Sequence, residues 1–170
     1  MFDLIFNNVL GVTFYPMPYT TDALFTLNNV DYIIITLGVQ PSDDKDVDLS
    51  PLFNVIDDIH GFISGKTVIL RTTVPIGTTR KIKQYIEQKY GLKESIDYFL
   101  AYVPERLTEG MGIKEEIYLP KIIGTFSEEG FKRVETLFNI LLGPIYRASS
   151  PEIAEFVKLI DNGFRNLLFA

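Results

Sequence analysis

Residues 31–37, DYIIITL, form an apolar, largely β-branched run without polar alternation, and such a run predicts a strand buried on both faces of a parallel sheet. The polar segment QPSDDKDVD follows, and then Leu52, Val55, Ile56, Ile59 and Phe62 recur at near-helical spacing. Asp48 or Ser50 is placed to cap that helix, with Pro51 in its first turn. The alternation then repeats. KTVILRTTVP reads as a second strand, GTTRKIKQYIEQKYG as a second helix closed by Gly91, and SIDYFLAYV as a third strand. A short strand KIIG, residues 121–124, precedes a helix from Ser127 to Leu142, a strand IYRAS and a last helix opened by Ser150 and Pro151. Strands alternating with helices predict an α/β protein with a doubly wound parallel sheet and a ligand site at the carboxyl ends of its strands.

At 170 residues the chain is long enough for one domain with a real core. A net charge of −6 and the lack of any long basic run leave no source for the electrostatic attraction that drives nucleic-acid binding. Apolar runs such as YIIITLGV are too short to span a bilayer, and the first twenty residues lack the basic start and cleavage pattern of a signal peptide. These features read as a soluble cytoplasmic protein with no membrane partner. The chain has no cysteine and a single histidine, His60, which excludes disulfides, thiolate metal sites, a cysteine nucleophile and a histidine-based metal centre or triad. The early run FDLIFNNVLGVTFYP is apolar without a clear period and contains no glycine-rich phosphate loop.

In a parallel sheet the loops after Leu37, Thr72 and Val103 open on one edge. In VILRTTVPIGTT, residues 68–79, the hydroxyls of Thr72, Thr73, Thr78 and Thr79 flank Pro75 and Gly77, and the amides at the coming helix start can face an anion. The same threonines can equally be helix caps. In PERLTEG, residues 104–110, Glu105 and Glu109 sit beside Arg106. A carboxylate there can serve as general base or hold an attacking water, or it can be half of a surface pair worth about 0–1 kcal/mol. In the last helix Lys158 and Asn162 are four residues apart and share a face, where an ammonium and an amide can hydrogen-bond an oxygen that gains charge. The alternative is a solvated face with Glu155, Lys158 and Asp161 in exchangeable pairs.

In their order along the chain, these segments resemble the UDP-glucose/GDP-mannose dehydrogenase family, which includes the UDP-N-acetylmannosamine dehydrogenases. VILRTTVPIGTT is similar to the family's STVP-x-G-T loop, VPERLTEG to its NPE-F/R-L-x-E-G substrate loop, AEFVKLIDN to its AE-x-x-K-x-x-x-N helix, and KIIG to its R-I-V-I-G strand. The resemblance runs from about Thr20 to Ala170. It implies an incomplete doubly wound (Rossmann-like) parallel sheet followed by the start of a long central helix. The expected division is residues 1–148 as a partial NAD-binding domain without the glycine-rich loop, and 149–170 as the start of a central, dimerising helix.

The family oxidises the C6 alcohol of a nucleotide sugar to the uronate, using two NAD⁺ and a thioester on a cysteine. Carried over by motif, the resemblance implies that Thr73 lies near the nicotinamide and a catalytic water. Glu105 would assist the water-dependent steps and touch the cofactor, and Lys158 and Asn162 would stabilise the oxyanion. Arg106, Leu107, Thr108 and Glu109 would bind the sugar nucleotide, largely through backbone groups. The cofactor-contacting V-P-T-P turn appears as GVQP, where Pro41 is the clear match.

The family's glycine-rich loop and its cysteine-bearing second domain have no counterpart in these residues. The expectation is therefore a partial NAD-dependent nucleotide-sugar 6-dehydrogenase, inactive as this chain alone. The alternative is a non-catalytic nucleotide-sugar-binding or assembly module. The β-hydroxyacid dehydrogenases also carry Lys and Asn four apart but have no place for PERLTEG. A UDP-sugar, a homodimer or larger homo-oligomer, and a partner chain carrying the missing domain are the expected partners. The apolar residues Phe164, Leu167, Leu168 and Phe169 would join the copies, and the open edge of the DYIIITL strand would be covered by residues 1–15 or by another chain.

Overall fold

The computed structural model describes residues 23–39, 47–107 and 112–169. Five strands, β1 (Tyr32–Ile35), β2 (Thr67–Leu70), β3 (Phe99–Tyr102), β4 (Lys121–Thr125) and β5 (Ile145–Arg147), form one sheet in the order of the chain. The helices are α1 (Ala23–Asn28), α2 (Ser50–Ile59), α3 (Thr78–Tyr90), α4 (Gly112–Tyr118), α5 (Glu128–Phe138) and α6 (Pro151–Phe169), and a 3₁₀ turn, His60–Phe62, extends α2. All five expected strands are present. The short helices α1 and α4 were not foreseen, and α4 turns the end of the expected loop, from Gly112, into helix. Helix α5 stops at Phe138, short of Leu142, and the amides of Leu142 and Gly143 turn instead to the carbonyl of Ile117 at 2.9 and 2.8 Å.

Strands β1, β2 and β3 run parallel, so their carboxyl ends share one edge, as the alternating pattern predicts. The expectation of a wholly parallel sheet does not hold: β4 pairs antiparallel with β3, and β5 pairs parallel with β4. The reason lies in the connection. Between β3 and β4 the chain turns through α4 on the carboxyl edge itself, and re-enters the sheet from that edge instead of crossing back over a face.

Side-chain alternation divides the core in two. Val68 and Leu70 of β2 and Leu100 and Tyr102 of β3 face a layer built from α2, α3 and α6, with Leu52, Ile56, Ile82, Ile86 and Ala154 among the buried residues. Ile69 and Ala101 face the other way, onto Val134 and Phe138 of α5. All four residues of β2 are buried, as befits a strand with neighbours on both sides and helices on both faces.

For β1 the expected burial on both faces is corrected. Ile35 is buried, yet Ile34 is 45% and Leu37 40% exposed. β1 is the outermost strand among the described residues, and beside Ile34 an apolar recess of about 240 Å³ opens between the sheet and the end of α5. The expected covering of this edge by residues 1–15 lies outside the described residues.

The glycine of KIIG fixes where α6 begins. A Cβ on Gly124 would stand 2.6 Å from Pro151 Cα and 2.9 Å from Ser150 O, so only glycine lets the helix start lie directly on β4. Helix α6 then crosses β4 and β3 beside α3, and its first half is sealed against the carboxyl-edge loops.

Candidate functional site

Three segments meet at the carboxyl edge: the turn after β2, the loop after β3, and one face of α6. The turn after β2 is tied down by α6. Gly77, in the left-handed region at φ 88°, is the N-cap of α3, and its N–H donates to Glu155 Oε2 at 2.5 Å. Thr79 donates to Glu155 Oε1 from its N–H at 2.8 Å and from its hydroxyl at 2.6 Å. Thr78 Oγ1 donates to Pro75 O at 2.7 Å, and the carbonyl of Thr72 accepts from the buried Tyr102 hydroxyl at 3.0 Å. The helix-start amides do face an anion, and that anion is the chain's own Glu155, which is 0% exposed. Thr78 and Thr79 are thus bound to the turn and to α6, while Thr73 stands exposed on the edge.

The alternative reading of Glu155, Lys158 and Asp161 as a solvated, exchangeable face is overturned. Glu155 is sealed, Lys158 is 7% exposed, and Asp161 holds Arg106 by two hydrogen bonds, Nε to Oδ2 at 3.3 Å and Nη2 to Oδ1 at 3.2 Å. The outer face of α6 instead carries Ile153, Phe156, Ile160, Phe164, Leu167 and Leu168, all exposed. These positions fall within one side of a 3.6-residue helix, so α6 buries its polar side and shows its apolar side.

Lys158 makes no ion pair among the described residues. Burial pushes its ammonium below the usual lysine range, while the charges of Glu105 and Asp161 pull the other way. That opposition places Glu105 in the electrostatic neighbourhood of Lys158. Glu105 accepts from the Leu107 N–H through Oε1, and Asn162 lies half-buried one turn beyond Lys158. Asp161 is held below the usual carboxylate range: burial opposes this, but the Arg106 hydrogen bonds and the charges of Arg106, Arg165 and Lys158 outweigh it.

The structure therefore holds Arg106 against Asp161 of α6 and sets Glu105 within electrostatic reach of Lys158, with Asn162 one turn farther along the helix. Pro41, Thr108 and Glu109 lie outside the described residues. Arg106 spends its guanidinium on Asp161, so its side chain holds the loop. Two residues went unassigned in the sequence: Glu155, as the cap of α3, and Arg165. The spacing 155, 158, 161, 165 was the available signal, since it marks a polar helix face that repeats like a buried one. None of Glu105, Lys158 or Asn162 lines the recess beside Ile34, whose wall holds the Arg71–Glu116 pair at 3.0 Å. Among the described residues no group of three or more histidine, cysteine or acidic residues is placed to hold a metal ion.

A dinucleotide needs a seat for its pyrophosphate, usually backbone amides at a helix start. Of the helices that follow β1 and β2 on this edge, α3 has its start filled by the chain's own Glu155, and at α2 the exposed Asp48 accepts from one amide, Ser50 N, at 2.9 Å. The described residues do not fit the pyrophosphate.

Residues 12–142 match the UDP-glucose/GDP-mannose dehydrogenase family, NAD binding domain. The UDP-N-acetyl-D-mannosamine dehydrogenase of Pyrococcus horikoshii is 34% identical over 151 residues, covering 88% of this chain and 36% of that protein. The UDP-N-acetyl-D-glucosamine 6-dehydrogenase of Pseudomonas aeruginosa is 29% identical over 153 residues, with the same coverage of 88% and 36%. Among solved structures, that of the P. horikoshii UDP-D-ManNAc dehydrogenase superposes with a TM-score of 0.79 at 35% identity, over 85% of this chain and 35% of the other. A ternary complex of GDP-mannose dehydrogenase from P. aeruginosa gives 0.80 at 27% identity, over 88% and 36%. The chain thus spans about a third of the length of the relatives it matches.

Proposed function

Because this chain belongs to the UDP-glucose/GDP-mannose dehydrogenase family, we propose that its carboxyl-edge crevice is the middle portion of a nucleotide-sugar 6-dehydrogenase site, in a soluble, cytoplasmic protein. The whole reaction would turn the C6 alcohol of a UDP-sugar into a uronate for polysaccharide biosynthesis. The observation that carries this reading is a buried ammonium, Lys158, without an ion pair among the described residues, beside Glu105 and Asn162. An uncompensated buried cation is costly, and a site that develops negative charge on a ligand oxygen is where such a cation is useful. Lys158 and Asn162 hydrogen-bond that oxygen, and Glu105 holds a water or accepts its proton. Leu107 and its neighbours Arg106, Thr108 and Glu109 meet the sugar nucleotide through backbone groups.

NAD would supply the hydride acceptor. Thr73 would lie near its nicotinamide, and Glu105 and Pro41 would touch the cofactor; its pyrophosphate would need a seat the described residues do not offer. No cysteine exists in these 170 residues, so a thioester step needs a cysteine from elsewhere, and the chain by itself would be inactive. We assign residues 1–148 to a partial NAD-binding domain and 149–170 to the start of a central helix. The exposed apolar stripe of α6 supports a homodimer or larger homo-oligomer through that helix. The family's remaining domain, on the same polypeptide or on a partner chain, would complete the site.

A second reading, a non-catalytic nucleotide-sugar-binding or assembly module, is favoured by the start of α3, already filled by Glu155. The test incubates the purified chain with NAD⁺ and UDP-sugars and follows NADH absorbance and melting temperature. NADH formation would establish activity in the chain alone. A ligand-dependent rise in melting temperature without NADH supports a binding site that needs the missing parts, since a ligand stabilises only a state it binds. Neither signal, at saturating UDP-sugar, would refute both readings.

A further inference from the structure

Beyond Val103 the loop after β3 leaves the sheet ladder. Val103 N donates to Leu70 O at 3.0 Å, Pro104 has no N–H, and among the described residues no backbone–backbone hydrogen bond holds residues 104–107. Apart from the local bond from Leu107 N–H to the Glu105 carboxylate, what holds them comes from α6. Arg165 Nη2 donates to Arg106 O at 2.7 Å and Nη1 to Leu107 O at 3.4 Å, while Nη2 also lies 3.3 Å from Asp161 Oδ2. Asp161 in turn grips the Arg106 side chain, so one carboxylate sits between two guanidinium groups. All three side chains are largely shielded from water, at 22%, 19% and 31% exposed for Arg106, Asp161 and Arg165.

We propose that Arg165, acting through Asp161 and the carbonyls of Arg106 and Leu107, is the positioning residue that sets the loop after β3 against α6 before any ligand arrives. The inference rests on the nucleotide-sugar reading only for what the loop binds; the clamp itself stands on geometry. Arg165 is two turns beyond Lys158 and one beyond Asp161 on the inward face, so the helix that carries the ammonium also sets the loop that carries Glu105. The planar guanidinium is essential to this role, because its fork spans two carbonyls and a carboxylate at once, which a single ammonium cannot do. Held in this way, the loop presents its backbone without an ordering cost on binding.

The experiment compares wild type, Arg165→Gln and Arg165→Lys by hydrogen exchange and by titration with UDP-N-acetylglucosamine and UDP. In Arg165→Gln the peptide covering residues 103–107 exchanges about tenfold faster or more, as expected when charge-assisted bonds that hold it are lost, while peptides from β2 and β3 keep their protection. Arg165→Lys retains the charge and fails to restore the loop. UDP-sugar binding weakens by a similar factor in both variants. Unchanged loop exchange in Arg165→Gln, or full rescue by Arg165→Lys, would overturn the proposal. If Arg165→Gln unfolds, Asp161→Asn gives the second test: it keeps both carbonyl bonds and accelerates loop exchange by a smaller factor, and no acceleration there overturns the clamp. A wild type that binds no UDP-sugar would sink the nucleotide-sugar reading and leave the exchange result to decide the clamp.

Discussion

Replacing Glu155 by glutamine removes one charge and almost no volume, and the structure sets what that costs. The carboxylate is fully buried and accepts from Gly77 N at 2.5 Å, Thr79 N at 2.8 Å and Thr79 Oγ1 at 2.6 Å. In Glu155→Gln the amide oxygen can keep the two bonds from Thr79, but the NH₂ then meets the Gly77 N–H, donor against donor. Losing a charge-assisted bond costs about 1.5–3 kcal/mol. Losing the negative charge at the start of α3 costs about 0.3–1 kcal/mol more. Relief from burying a charge returns part of this, since buried charges are expensive to desolvate. The expected net loss is about 2 kcal/mol, or a fall in melting temperature of roughly 4–8 °C for a domain of this size. Urea unfolding followed by far-UV circular dichroism measures it, with an unchanged m-value showing that the folded state is otherwise intact. Glu155→Leu, which leaves the Gly77 and Thr79 donors without partners, should cost more than Glu155→Gln. If Glu155→Gln proves as stable as wild type to within about 0.5 kcal/mol, or if Glu155→Leu is the more stable of the two, the account of this carboxylate as the anchor of the β2 turn is wrong.

Acid should act most strongly through two carboxylates. Asp57 is held down to about 2 by hydrogen bonds from Tyr90, Lys89 and Tyr85, and Glu152, against the opposing effect of burial, is held down to about 2 by Arg80 and Ser150. Their folded values lie below the unfolded ones, so the stability they add is present above the usual carboxylate range and lost as pH falls from about 4 to about 2; Asp57→Asn should flatten that part of the denaturation profile, and an identical profile would contradict it. The hydroxyl of Tyr98 is buried without a partner among the described residues, whereas that of Tyr102 donates to Thr72 O at 3.0 Å. Tyr98→Phe should therefore be neutral or gain about 1 kcal/mol, while Tyr102→Phe should lose about 1 kcal/mol; calorimetry that ranks them in the opposite order would disprove the assignment. On the proposed reading, Lys158→Met should keep or raise the melting temperature and abolish UDP-sugar stabilisation, because burying the ammonium costs the fold and its use would be to the ligand. Since burial lowers the folded value of Lys158, its unfavourable contribution should fade as pH rises toward the ordinary lysine range, a trend that Lys158→Met should remove.

Much of the architecture was legible in local pattern. The strands β1 to β5 and the helices α2, α3, α5 and α6 come from runs whose period and caps are written in neighbouring residues, such as Ser127, whose side chain accepts from Gly130 N at 3.1 Å at the start of α5. Helix α1 was missed because it is only six residues long, and α4 because its seven residues open on glycine directly after a loop motif. The sense of β4 was also illegible, since a strand's own sequence does not record the direction in which its neighbour runs.

Local pattern sets the class of sheet, the edge on which the loops after β2 and β3 emerge, and the ordered motifs that carry Thr73, Glu105, Lys158 and Asn162. Those properties follow from periods of two and 3.6 and from short spacings, which act over a few residues. Which side of α6 turns inward is settled by long-range packing. Its apolar stripe, read alone, would have been buried, yet Glu155, Asp161 and Arg165 gain their partners at Gly77, Thr79, Arg106 and Leu107, residues more than fifty positions away. A buried charge is tolerable only when satisfied, and its partners are supplied by the packing of distant segments rather than by the residues beside it.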